Sequence, residues 1–103
     1  MKELTREYLK SILHYDPETG IWRWLQPRAN NRIKIGQQAR TINEIGQRII
    51  RIDGKNFKAY RLAWFYMTGK WPTHTVDHIN QIKDDNRWGN LRLATGSRSN
   101  SHD

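Results

Sequence analysis

Asp77-His78, Asp85-Asn86-Arg87, Asn90-Leu91-Arg92 and Asn100 bring an acid, an imidazole and carboxamides into one short C-terminal segment. Hydrolysis of a phosphodiester calls for such a set. A base must take a proton from water, and a hard cation must take up charge on the phosphate. Histidine suits the first task, and Asp and Asn oxygens suit the second. The chain has no cysteine, which excludes disulfides and cysteine-held structural zinc and leaves oxygen and imidazole as the available metal ligands.

These residues must be held by a small scaffold. A chain of 103 residues has room for one domain, or for two very small ones sharing a core. Five Trp, four Tyr and two Phe compensate for the small size, because each aromatic buries a large area. No apolar run approaches the ~20 residues that span a bilayer, and the start MKELTREYLK lacks the apolar stretch of a secretory signal. The expectation is a cytoplasmic protein with no membrane partner.

The net charge of +8 is unevenly spread. Gly20 to Arg61 holds ten basic residues against two acids, whereas the flanks balance. The field therefore originates mid-chain, and a polyanion is the partner it suits, DNA being the one expected. Within that stretch Asp53-Gly54 separates Gln47–Ile52 from Lys55–Tyr60, a two-residue hairpin signal of the type I′ kind. The turn sets Ile52 opposite Lys55, Arg51 opposite Asn56, Ile50 opposite Phe57 and Ile49 opposite Lys58. Ile50, Ile52, Phe57 and Ala59 then form a packing face, and Gln47, Arg51, Asn56 and Lys58 share the other with Ile49. Arg48, Arg51, Asn56 and Lys58 are the candidate DNA contacts of this ribbon.

The remaining elements follow from periodicity and punctuation. Thr5 caps a helix reaching about His14, with Leu4, Tyr8, Leu9, Ile12 and Leu13 as its apolar stripe. Asp16-Pro17-Glu18-Thr19-Gly20 ends it as a turn. Ile21 to Trp24 alternates like a short strand, and Gln26 to Lys34 reads as a basic loop. Arg61 to Thr68 reads as a helix closed by Gly69, and Arg61 at its start is a further candidate phosphate contact. The fold class expected is α+β: a small antiparallel sheet with helices over residues 1–72, followed by a C-terminal catalytic unit over 73–103.

Taken in order, Tyr15-Asp16-Pro17-Glu18-Thr19-Gly20, Ile52-Asp53-Gly54-Lys55, Tyr60-Arg61-Leu62-Ala63-Trp64, Val76-Asp77-His78-Ile79-Asn80, Asp85-Asn86-Arg87 and Asn90-Leu91-Arg92-Leu93-Ala94-Thr95 resemble phage-type HNH endonucleases of the zinc-less branch. The resemblance implies a ββα-metal (His-Me) finger, with Val76 to His78 ending its first strand, Asn80 to Gly89 as its loop, Leu91 to Thr95 as its second strand and a helix from about Ser97. It implies that His78 is the general base and that Asn90 holds the loop that orients it. Asp77 and Asn100 become the ligands of a divalent metal, with Mg²⁺ favoured and Mn²⁺ an alternative, and Arg87 and Arg92 clamp the flanking phosphates.

The chain departs from the family pattern at three places. The customary spacing from the middle Asn reaches Ser99 rather than Asn100, a shift that Gly96 as an inserted residue would absorb; His102 and Asp103 are alternative ligands. Gln81 stands where a loop glycine is frequent, and Tyr60 stands where a histidine is frequent. The other readings are a DNA-binding module whose finger no longer cuts, and RNA binding through solvent-exposed Trp and Tyr.

Overall fold

The computed structural model describes residues 3–28 and 32–94, so the expected helix from Ser97 and the candidate ligands Ser99, Asn100, His102 and Asp103 lie outside the described residues. The chain runs α1 (Arg6–Ile12), β1 (Leu13–Tyr15), β2 (Trp22–Trp24), β3 (Ile49–Ile52), β4 (Lys55–Lys58), α2 (Ala59–Thr68), β5 (Thr75–His78), a 3₁₀ turn (Trp88–Asn90) and β6 (Leu91–Ala94). It is an α+β arrangement. The strands do not join into one sheet: among the described residues they pair as three antiparallel hairpins, β1-β2, β3-β4 and β5-β6.

The Thr5 hydroxyl accepts from the Tyr8 amide at 3.1 Å and starts α1 where expected. The helix nevertheless ends at Ile12, short of His14. Leu13, His14 and Tyr15 are drawn into register with Trp24, Arg23 and Trp22. The ladder buries Leu13, Tyr15, Trp22 and Trp24, which one more turn of helix would point in different directions. Tertiary burial outweighs propensity here. His14 consequently lies exposed on a strand, not at a helix end.

The central hairpin has the register that its turn dictates, pairing Ile49, Ile50, Arg51 and Ile52 with Lys58, Phe57, Asn56 and Lys55. Asp53 (φ 49°) and Gly54 (φ 87°) both occupy the left-handed region a type I′ turn requires. The tip is tied down further, since Asp53 accepts from the Tyr8 hydroxyl at 2.7 Å and from Arg28 at 2.6 Å. β4 is shorter than expected because Ala59 already starts α2, its amide donating to the Arg48 carbonyl at 2.9 Å. At the other end Gly69 (φ 80°) closes α2, its amide donating to the Phe65 carbonyl. Arg6 of α1 reaches the carbonyls of Tyr66 and Met67 at 2.9 and 3.3 Å, satisfying acceptors that a helix C-terminus leaves open.

One continuous core connects the hairpins, with Leu9, Ile12, Leu13, Tyr15, Trp22, Ile50, Leu62, Ala63, Val76 and Leu91 all buried in it. Tyr15, Trp22 and Tyr66 form an aromatic triad with centroids 4.8, 5.7 and 5.4 Å apart. Each such pair contributes about 0.5–1.5 kcal/mol beyond the area it buries. Trp24 is also buried, and Trp64, Trp71 and Trp88 are half-buried against other rings. None of the five Trp is the exposed stacking platform that RNA recognition by exposed rings requires. No helix among the described residues is long and apolar enough to cross a membrane.

Candidate functional site

The β5-β6 hairpin pairs Thr75 with Ala94, Val76 with Leu93, Asp77 with Arg92 and His78 with Leu91. Val76 and Leu91 pin it to the core, which places the backbone at the end of β5. His78 is half-buried there. The Tyr60 ring, at the start of α2, meets the imidazole edge-on at 5.2 Å and 82°. Tyr60 thus forms a wall beside the imidazole.

His78 Nε2 lies 2.8 Å from Asn86 Oδ1. Asn86 is 2% exposed, an uncommon degree of burial for a carboxamide and one that calls for specific partners. Its role went unassigned in the sequence, where it was merely the middle of Asp85-Asn86-Arg87; its distance of eight residues from His78 carried no periodic signal.

Asn90, 6% exposed, does hold the loop. Its Oδ1 accepts from the Asn80 amide at 3.0 Å, and its Nδ2 donates to Asn80 Oδ1 at 2.9 Å and to the Asp85 carbonyl at 2.8 Å. Asn80 in turn donates to the Asp85 carboxylate at 2.7 Å. A single carboxamide therefore fastens both ends of the segment 80–85. Within that segment Gln81 has φ 66°, a left-handed backbone in which a side chain costs about 1–2 kcal/mol.

The basic residues divide into engaged and open groups. Arg48 makes a bidentate pair with Asp84, at 2.9 and 2.6 Å, with its side chain 15% exposed. Arg87 pairs in the same manner with Asp85, at 2.7 and 2.6 Å. Arg51 and Asn56 are exposed partners on the outer face of the β3-β4 hairpin. Lys58 is half-buried where β4 gives way to α2, and the Arg61 guanidinium lies 5.9 Å from the centroid of the Trp71 ring. Arg92 is exposed on β6, directly across from Asp77. His74, exposed ahead of β5, shares a contact of 2.9 Å with the Thr73 hydroxyl.

Asp77 is half-buried and forms no ion pair among the described residues. A carboxylate with no ion pair among the described residues, in a chain without thiols, is a ligand suited to a hard divalent cation that keeps much of its water. No group of three or more His, Cys, Asp or Glu side chains converges among the described residues, so the protein's share of any such coordination shell is small there.

The Arg87 guanidinium, helped by Asn80 and the Arg87 amide, holds the Asp85 carboxyl down at about 2. An unfolded Asp titrates near ~3.9. The folded value is the lower one, so Asp85 stabilises the loop fully above that pH and loses its contribution as pH falls toward about 2. Thermal melting followed from pH 5 to pH 2 is expected to decline less steeply for Asp85→Asn than for the wild type. Because Arg87 is exposed, salt should shrink the difference.

Residues 57–101 match the family model described as HNH endonuclease. The match begins in β4, takes in α2 and includes His78, Asn86 and Asn90. Comparison with curated proteins and with solved structures returned no significant match. The segment whose loop Asn90 fastens and whose histidine Asn86 meets is thus the part of the chain that is similar to HNH endonucleases.

Proposed function

We propose that the protein is a metal-dependent endonuclease that hydrolyses DNA phosphodiester bonds with limited sequence specificity. The observation that carries this reading is the coincidence of the family match with the His78–Asn86 contact and, next to it in the chain, the Asn90–Asp85 bond. His78 takes a proton from the attacking water. Water oxygen bonds to phosphorus as the P–O3′ bond breaks, leaving a 5′-phosphate and a 3′ oxygen that acquires a proton. Asp77 and Asn100 would hold the divalent cation, Mg²⁺ or Mn²⁺. When bound, it supplies charge neutralisation at the phosphate and the leaving oxygen. Residues 73–103 would then form a ββα-metal finger, of which β5 and β6 are the two strands.

Arg51, Asn56, Lys58, Arg61 and Arg92 are the proposed DNA contacts with the fewest competing ionic partners. Arg87 would reach phosphate only by sharing its guanidinium with Asp85, and Arg48 only by leaving Asp84. So small a set of contacts leaves few side chains for base edges once phosphates are met, which supports low specificity.

Supercoiled plasmid incubated with Mg²⁺ or Mn²⁺ is expected to be nicked, and EDTA is expected to stop the reaction. Salt-sensitive DNA binding with no cutting under either metal would replace this reading with that of a binding module built on the same finger.

A further inference from the structure

We propose that Tyr15, on β1 and outside the matched segment, is a positioning residue for His78 that acts through Asn86. The proposal rests on the nuclease reading only for its catalytic consequence. The Tyr15 hydroxyl donates to the Asn86 main-chain carbonyl across 71 positions of sequence. The Tyr15 ring is itself immobilised, 1% exposed between Trp22 and Tyr66. Burial, reinforced by Asp16 and Asp85, pushes the hydroxyl well above its ordinary pKa, so it remains a donor throughout the working range.

Two further contacts from the same turn act on the same stretch. The Trp88 amide donates to the Pro17 carbonyl at 2.9 Å. Gly20 presses so closely that a Cβ there would come within 2.6 Å of both the Arg87 nitrogen and the Asn86 carbonyl carbon. Residues 86, 87 and 88 are thus gripped one after another by a turn more than sixty positions away.

The consequence reaches the imidazole because the backbone so gripped carries the Asn86 side chain. With Oδ1 of Asn86 accepting, the His78 proton resides on Nε2, and Nδ1 is left as the base. Removal of the Tyr15 hydroxyl leaves a buried carbonyl without its donor, and the segment relaxes toward water to satisfy it. Asn86 then loses its fixed relation to the ring, which becomes free to turn and to exchange its proton between nitrogens.

Long-range ¹H–¹⁵N spectra of the His78 ring in mildly alkaline buffer, recorded beside cleavage kinetics, test the link. Wild type is expected to show one ring form protonated at Nε2. Tyr15→Phe, which keeps the aromatic packing, is expected to show a ring averaged between tautomers, with kcat lowered by up to about tenfold and KM changed by less than about twofold. Tyr8→Phe, which loses a hydroxyl bonded to Asp53 instead, should alter neither.

A His78 ring protonated at Nδ1 in the wild type, or a Tyr15→Phe protein with wild-type spectrum and kcat, overturns the proposal. Should Tyr15→Phe fail to melt cooperatively, Asn86→Ala reads the same link from its near end, and an unaltered His78 spectrum there is equally fatal. The spectra report the ring whether or not DNA is cut. An Nε2-protonated ring loosened by Tyr15→Phe in a protein that never cuts would therefore refute the nuclease reading and leave the positioning intact.

Discussion

His78→Ala is expected to lower the single-turnover rate of plasmid cleavage by about 10²–10⁴-fold, the range a positioned general base contributes. DNA affinity should change little, because binding rests on phosphate contacts from Arg and Lys elsewhere. The substitution also strips Asn86 Oδ1 of its partner and Tyr60 of the ring it packs against. A buried acceptor left unpaired costs about 1–3 kcal/mol, so melting must be recorded alongside activity. Loss of rate well below the melting temperature, with binding retained, assigns the effect to chemistry. A variant that cuts within about tenfold of wild type would remove His78 from the role of base.

The largest effect on stability is expected at Asn90. Asn90→Ala deletes three hydrogen bonds at once and leaves the Asn80 amide and the Asp85 carbonyl without the partner that joined them. Since the site is 6% exposed, water replaces the carboxamide poorly. A loss of about 2–4 kcal/mol follows, which for a domain of this size lowers the melting temperature by roughly 10 °C or more. Asn90→Asp does not rescue it: one acceptor survives, but both donated bonds go and a charge is buried without a counterion. A shift of less than about 2 °C for Asn90→Ala would mean that segment 80–85 is held by something else.

What the sequence disclosed and what it concealed divide along a physical line. Thr5, Asp53-Gly54 and Gly69 were legible because caps and tight turns are decided by a few neighbouring residues. The register of β3 and β4 came with its turn. Motif order singled out Asp77-His78 and Asn90 as candidates, and Asn90 hydrogen-bonds Asn80 and Asp85. The end of α1 was misplaced because what stops it is β2, whose paired residues lie farther along the chain. Arg48 and Asp84 lie 36 positions apart, and Tyr15 and Asn86 lie 71 apart. Such partnerships leave no periodic trace, so a basic residue on a ribbon looked open while an acid far along the chain already occupied it.

The Arg48–Asp84 pair sets a ruler. Arg48 enters β3, the strand whose outer residue Arg51 would lie along DNA, and Asp84 belongs to the loop over the histidine. Joined through two short bonds, the ribbon proposed to bind DNA and the loop beside the proposed base are held in one register. The scissile phosphate should accordingly fall at a constant number of nucleotides from the edge of the protected stretch, whatever the bases between. On a duplex only long enough to seat one protein, end-mapping of the products would read that offset directly, and Asp84→Ala should spread the cut over neighbouring phosphates.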